Sequence, residues 1–252
     1  MADEIKDFFD RAAIGRDLKF AIDPILEYEQ KVRSRTVISM LDAKPSELIL
    51  DVGCGTGRDL IQLAKTGCTC IGIDFSSKMI EESREELSKN GITAVELEIG
   101  DATNLRFPDR MFDKVFASEV IEHIPDYSNA ISEMARVLKP AGYLVITTPN
   151  RRSIYGFDRY VIREKFLRRN WPHPYDSWKT FDELVSALNN NGFTITSFTG
   201  ACYIPGSLVP RCFPKIMKKL LVTIGGIFES SLSRMLPKNG YILAIKAVKK
   251  PG

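Results

Sequence analysis

One stretch constrains this chain more than any other: Leu48-Ile-Leu-Asp-Val-Gly-Cys-Gly-Thr-Gly-Arg-Asp-Leu-Ile-Gln-Leu-Ala64. It opens with a short apolar run, Leu48 to Val52, of the length that suits a strand buried on both faces. Glycines follow at alternate positions, Gly53, Gly55 and Gly57, and then Leu60, Ile61, Leu63 and Ala64 recur at helical spacing. The pattern predicts strand, tight glycine turn, helix. Such a turn lets backbone approach a ligand closely, because glycine has no Cβ to collide and tolerates positive φ.

The spacing restricts the ligand. A dinucleotide fingerprint needs glycine at its first, third and sixth positions. Counted from Gly53 the sixth residue is Arg58, and counted from Gly55 it is Leu60. Asp51 before the turn and Asp59 after it also repel a pyrophosphate. Both favour a ligand with a positive centre and an ammonium group. S-adenosylmethionine has both, and Asp51-Val-Gly-Cys-Gly-Thr-Gly57 resembles the first motif of the class I S-adenosylmethionine-dependent methyltransferases. An ordinary strand–helix turn with a chance glycine repeat would read the same letters, and a nicotinamide enzyme would need a different register.

Composition sets the outer limits. A chain of 252 residues suffices for one α/β domain with a sizeable core. Its formal charge of +3 is too mild to attract nucleic acid by net charge. Cys54, Cys68, Cys70, Cys202 and Cys212 form neither a CxxC pair nor a Cys/His ladder, so no structural zinc site or disulfide framework is indicated. Reduced thiols and a cytoplasmic setting are the expectation. The acidic, amphipathic N-terminus does not read as a secretory signal. No uncharged apolar run reaches the roughly 18 residues that a membrane span needs.

Along the chain, Phe8-Phe9-Asp10-Arg11 and Ile22 to Leu41 read as helices, with Pro24 at a tolerated early position. Thr69 to Asp74 reads as a second strand. Asp74 ends it, 17 residues beyond Gly57. In a parallel sheet, neighbouring carboxyl ends lie side by side, so Asp74 can reach a ribose diol held over the glycine turn. Ser76 and Ser77 are N-cap residues for the next helix. Ala94 to Ile99 alternates as a strand, followed by Gly100-Asp101-Ala102. The resemblance places Asp101 at the adenine. It implies a cofactor site made of Asp51, Gly53, Cys54, Gly55, Thr56, Gly57, Asp74, Phe75, Asp101, Ala102, Ser118 and Glu119.

Asp113 to Ser118 reads as a fourth strand that leads into Ser118-Glu-Val-Ile-Glu-His-Ile-Pro-Asp126. A helical turn over 119–123 would put Glu119, Glu122 and His123 on one face. That set could hold a divalent metal, or His123 could act as a general base oriented by a carboxylate. The same positions resemble two metal-dependent branches, the ubiquinone-pathway O-methyltransferases and the enzymes that methylate the 3′-terminal 2′-hydroxyl of small RNAs. The ubiquinone-pathway branch is the nearer in motif. In the RNA group a downstream histidine completes the site, and His173 sits where that ligand would fall. The metal set is therefore Glu119, Glu122, His123 and His173, and the catalytic pair His123 and His173. Many metal-free relatives carry a similar Glu-His pair that only shapes the cofactor pocket.

Tyr127 to Lys139 reads as a helix closed by a turn at Gly142, and Tyr143 to Asn150 as the fifth strand. Phe181 to Asn191, Phe193 to Phe198 and Tyr241 to Val248 complete the pattern of helix, strand and last strand. Two inserts interrupt it. Residues 151–179 interleave Arg151, Arg152, Arg159, Arg163, Lys165, Arg168 and Arg169 with Tyr155, Phe157, Tyr160, Phe166, Trp171, Tyr175 and Trp178. That mixture suits an anionic or aromatic acceptor, a nucleic-acid end or a lipid headgroup, and equally a solvated helix with an apolar underside. Residues 203–237 are apolar with Lys215, Lys218 and Lys219, as for core packing or a dimer contact first, and also for a pocket cover or a membrane surface.

The expected fold is one doubly wound α/β domain over residues 1–252, with about seven mostly parallel strands. The resemblance implies that the last hairpin reverses direction. Residues 45–150 form the cofactor core, and 1–44, 151–179 and 203–237 the helical cap. The expected activity is methyl transfer from S-adenosylmethionine, leaving S-adenosylhomocysteine, to an oxygen of a small or lipid-like acceptor. An RNA 3′-end methyltransferase and a non-catalytic S-adenosylmethionine-binding protein are the alternatives.

Overall fold

The computed structural model describes residues 2–13, 23–168, 173–203, 209 and 213–251. Ile22, Arg169, Trp171 and Cys212 lie outside them. Seven strands form one sheet in the order β3-β2-β1-β4-β5-β7-β6. They are β1 (Leu48–Val52), β2 (Thr69–Asp74), β3 (Val95–Ile99), β4 (Phe112–Ser118), β5 (Leu138–Pro149), β6 (Phe193–Ala201) and β7 (Ile242–Lys249). Strand β7 runs antiparallel to both its neighbours, and the remaining pairs are parallel. This is the doubly wound sheet of the S-adenosylmethionine-dependent methyltransferase fold, with its reversed last hairpin.

The apolar run of β1 is continuous because both its faces are covered. Leu50 and Val52 point into a core layer with Ile131, Met134, Leu184 and Leu188. Ile49 points into the opposite layer with Leu41, Leu60, Leu63 and Ile80. Helices α2 (Pro24–Leu41), α3 (Arg58–Ala64) and α4 (Ser77–Lys89) supply that second layer. Helices α5 (Tyr127–Val137) and α7 (Phe181–Asn190) supply the first. Edge strand β3 alternates half-buried Val95 and Leu97 with exposed or near-exposed glutamates, as expected with only one covered face.

Local chemistry sets the helix starts. Asp23 caps α2 by accepting from Ile25 N at 2.9 Å, and Pro24 occupies the first turn. Ser76 caps α4 by accepting from Met79 N at 3.1 Å. Thr180 and Glu183 form a reciprocal capping box on α7. At the N-terminus, α1 (Ala2–Ala13) packs against α4, where Ser76 Oγ donates to Asp10.

Three expectations change. First, α5 ends at Val137 rather than Lys139, because Leu138 already pairs with Phe112 as the start of β5. The left-handed residue is Ala141, φ 60°, inside β5 where its register on β4 shifts, and not Gly142.

Second, residues 119–123 are not one helical turn. Glu119 is left-handed at φ 59°, and only Ile121–His123 form a 3₁₀ turn. Glu119, Glu122 and His123 therefore do not share a helical face. The chain must leave β4 and reverse within a few residues, and a regular turn cannot do that.

Third, four arginines of the 151–179 insert pair with the protein's own carboxylates, Arg159 in the interior and Arg151, Arg152 and Arg163 at or near the surface, while Lys165 and Arg168 stay exposed. Short helix α6 (Ile154–Phe157) runs into a π-helical segment, Asp158–Phe166. Arg159 is buried, paired with Asp176 at 2.9 Å, and lies 4.7 Å from the ring centroids of both Tyr160 and Trp178. Arg151 pairs with Glu183, Arg152 with Asp182, and Arg163 with Asp158. The arginine–aromatic pattern is a folded network rather than an open stripe for phosphates.

Candidate active site

A cavity of about 940 Å³ opens over the carboxyl ends of β1, β2 and β4. That is the crevice where ligands bind in open α/β sheets. The glycine turn forms its floor, with φ of 78°, 53° and 77° at Gly53, Gly55 and Gly57. A Cβ on Gly53 would lie 2.4 Å from Val120 Cγ2, so this position admits no side chain. A Cβ on Gly55 would meet nothing within 4 Å, so its backbone is laid open to the cavity.

Asp74 ends β2 beside this turn. Its carboxylate accepts from Gly55 N and from Ser76 N, each at 2.9 Å. It therefore ties the glycine turn to the start of α4. Asp51 is buried at the end of β1. Burial, with the charges of Asp59 and Asp74 adding, pushes its carboxyl well above the usual range, while Arg33 acts the other way. Asp59 is held from α2, where Ser34 Oγ donates to it. Asp101 is exposed and accepts from Thr103 N and Oγ1, both at 2.8 Å. Phe75, Ala102, Cys54 and Thr56 line the same cavity. Burial pushes the Cys54 thiol well up, which makes it a poor nucleophile.

The far wall is acidic. Ser118 Oγ lies 3.1 Å from Thr147 Oγ1, and Glu119 N donates to Thr147 O. Burial raises the Glu119 carboxyl to about 7, against the pull of Arg33 and a hydrogen bond with Thr147. Its Oε1 is buried with no hydrogen-bond partner. Glu122 is buried, accepts from Thr148 Oγ1 at 3.1 Å, and is pushed up by burial and by Glu119. Glu29 of α2 is also raised by burial, to about 7, while its bond from Tyr155 works the other way.

Glu119→Gln tests this wall. A carboxyl whose folded pKa is raised binds its proton more tightly when folded. Stability then falls as pH rises from its unfolded value, near 4.3, to about 7, and stays reduced above that. The amide is isosteric and removes the penalty. The variant is expected to match the parent near pH 4 and to gain on the order of 3 kcal/mol above pH 7. Urea unfolding at both pH values reads this directly, and an equal gain at pH 4 would place the effect elsewhere.

His123 and His173 come together under α1. Their rings stack at 5.4 Å and 17°, with Phe9 against His123 and Phe8 against His173. His123 Nδ1 is 3.2 Å from the Tyr175 carbonyl, and its Nε2 is 3.9 Å from Glu122 Oε1. A stack turns ring faces toward each other rather than two nitrogens toward one ion. Among the described residues no three or more His, Cys, Asp or Glu side chains are arranged to hold a metal ion. As arranged, Glu119, Glu122, His123 and His173 do not fit a divalent-metal site.

Several cavity residues escaped the sequence reading. Leu26, Glu29, Gln30 and Arg33 of α2 all line it. Their i, i+3, i+4, i+7 spacing was visible as a stripe, but a polar stripe reads as a solvent face. Arg33 Nε is buried without a hydrogen-bond partner. Trp178, Tyr241 and Asp176 complete the upper wall. Trp178 stood among the insert aromatics, whereas nothing local in the sequence marks Asp176 or Tyr241, which arrive from the insert and from the edge of β7.

Comparison with known proteins agrees with this geometry. A family model described as a methyltransferase domain matches residues 43–197. Methyltransferase GfsG of Streptomyces halstedii is 36% identical over 231 residues, covering 88% of this chain and 81% of that one. A ubiquinone biosynthesis O-methyltransferase of Bradyrhizobium diazoefficiens is 30% identical over 182 residues, covering 71% and 68%. The crystal structure of the [4+2]-cyclase SpnF superposes with a TM-score of 0.62 at 23% identity, over 87% of this chain and 80% of that one. The last is a likeness of fold alone, and a cyclase on this fold shows that acceptor chemistry has to be argued from side chains.

The sheet and the glycine-floored cavity define a class I S-adenosylmethionine-dependent methyltransferase. The chain belongs to the methyltransferase-domain family. S-adenosylmethionine fits the cavity, given the open backbone at Gly55 and the buried, unpartnered carboxylate oxygen of Glu119.

Proposed function

We propose that this methyltransferase acts on a hydroxyl or enol oxygen of a small or lipid-like acceptor, with His123 as general base. The observation that carries the reading is the contact between His123 Nδ1 and the Tyr175 carbonyl. A carbonyl can only accept, so Nδ1 carries the proton. In the neutral imidazole Nε2 is then the basic nitrogen. It is the tautomer that a hydroxyl acceptor requires.

S-adenosylmethionine, when bound, supplies a methyl group already activated on sulfur. The protein's task is then alignment and proton removal. Asp74 holds the ribose hydroxyls, and Asp101 with Phe75 and Ala102 holds the adenine. The open backbone over Gly53, Cys54, Gly55, Thr56 and Gly57 receives the methionine part. Asp51, Ser118 and Glu119 face its ammonium, and Arg33 its carboxylate. Residues 45–150 carry this cofactor half. The segments 1–44 and 151–179 form the cover, whereas no described residue of 203–237 lines the cavity, and His173, stacked on His123 under Phe8, shapes the acceptor side.

The internal pairing of Arg151, Arg152, Arg159 and Arg163 argues against an RNA end as acceptor. The test is incubation with S-adenosylmethionine and a panel of phenols, prenylated hydroquinones, amines and short RNAs. S-adenosylhomocysteine is expected to form with the phenolic members, together with a methyl ether. Turnover confined to amines or RNA would overturn the oxygen reading. Turnover with no member would support a non-catalytic role.

A further inference from the structure

Helix α8 (Lys215–Met235) is amphipathic the wrong way round for a helix packed on a protein. The stripe turned inward carries two of its five charged residues. Lys218 is buried and pairs with Asp23 at 2.7 Å. Glu229 accepts from Tyr28 Oη and from Cys202 N, both at 2.7 Å. The helix passes the Tyr28 ring at Gly226, where a Cβ would stand in ordinary contact at 3.7 Å. The apolar residues point away from the protein. Ile216 is 77% exposed, Ile227 67%, Leu220 59% and Phe228 55%, and Leu221 and Ile224 lie out with them.

At 100° per residue, Ile216, Ile227, Leu220, Ile224, Phe228 and Leu221 fall within one arc of roughly 140°. Lys219, Thr223 and Ser230 occupy the flank between this arc and the buried stripe, and exposed Lys215 stands at the first turn. Glu229 is the one carboxylate of the helix, and it is turned inward. The exposed surface of α8 is thus mainly apolar, broken by Ser231 and by Arg234 in the last turn, flanked by cations and free of acidic groups. Met235 and Leu236 extend it, with Arg234 and Lys238 at that end.

We infer that α8 is a membrane-interface helix that seats the protein on an anionic lipid surface. A broad apolar arc with a lysine flank is the pattern of helices that lie in the headgroup region. Charge complementarity distinguishes this occupant from a second copy. Lys215 and Lys219 mark one end of the face, and Arg234 and Lys238 the other. Parallel pairing sets each cationic cluster against itself, and antiparallel pairing sets one against the other. Both oppose like charges, whereas an anionic bilayer neutralises both ends at once. The helix lies on the surface and does not cross it, since no helix among the described residues is long and apolar enough to span a membrane.

The placement reaches the cavity through one element. Helix α8 packs on α2 at Tyr28, and the next residue, Glu29, lines the cavity. A protein seated through α8 holds its acceptor cavity one helix away from the lipid.

The test is co-sedimentation of the full chain with phosphatidylcholine vesicles, with and without phosphatidylglycerol, at low and high salt. The parent is expected to bind the anionic vesicles, more weakly as salt rises. Lys215→Glu with Lys219→Glu is expected to lower partition at least about tenfold. Ile227→Asp with Phe228→Asp is expected to lower it about a hundredfold or more. Both variants should retain the parent's heat of S-adenosylmethionine binding, which shows that the cavity is folded. No binding of the parent at low salt would overturn the inference. So would a parent dimer that Ile227→Asp with Phe228→Asp converts to monomer without any vesicle binding, or partition that ignores both lipid charge and the variants.

Discussion

Replacing His123 by alanine is expected to lower kcat about 10²- to 10⁴-fold on a hydroxyl acceptor while leaving S-adenosylmethionine affinity nearly unchanged. The imidazole is the titratable group whose tautomer is set, by the Tyr175 carbonyl 3.2 Å from Nδ1. It sits among aromatic rings, with Phe9 at 5.0 Å and His173 at 5.4 Å. A purely structural role would also lose activity on truncation, so a second variant separates the two. His123→Asn can still donate an N–H toward the Tyr175 carbonyl but offers no basic nitrogen. If His123 is the base, asparagine is as inactive as alanine. The acidic limb of the parent's kcat/KM profile, where the imidazole is protonated, then disappears from the residual activity. Recovery of turnover in His123→Asn with an unchanged pH profile would make His123 a packing residue.

Asp74→Ala is expected to weaken S-adenosylmethionine binding by about 10²- to 10³-fold, read by calorimetry. Two effects add. The first is loss of charge-assisted hydrogen bonds to the ribose hydroxyls, each on the order of 1.5–3 kcal/mol. The second is release of the glycine turn, because the same carboxylate accepts from Gly55 N and Ser76 N. Asp74→Asn is expected to disturb both. Its remaining oxygen can keep Ser76 N, but its amide would face the Gly55 N–H donor to donor, so it too should bind poorly. Asp101→Ala is expected to cost less, since Asp101 is exposed and its Oδ1 already serves Thr103. Equal losses at Asp74 and Asp101 would contradict this assignment of roles.

The cofactor half of the protein was legible because its signals are local. Strands β1 and β2 begin and end where the apolar runs predict, and Ser76 caps α4 as its position before a helical pattern requires. The acceptor half was not legible, for identifiable reasons. Glu119 takes a left-handed conformation that no residue type announces, so a helical face was read where none exists. Arg159 looked available until the fold brought Asp176 to it across 17 residues. Arg33 went unmarked because a polar helical stripe and a cavity-lining stripe have the same period.

Helix α8 shows the limit from the other side. Its lysines and apolar residues were visible as composition, and a soluble helix would bury the second and expose the first. Only packing on α2 could reveal that Lys218 and Glu229 turn inward and Ile216, Leu220 and Ile227 outward.

Sequence alone determined the strands and the glycine turn, because each depends on periodicity or on spacing within a few residues, and the methyl donor followed from the family resemblance that the turn's residues carry. Tertiary structure decided the acid wall, the tautomer of His123 and the face of α8, because each depends on a partner tens of residues away or more. Tyr175 meets His123 over a separation of 52 residues, and Glu229 meets Tyr28 over 201.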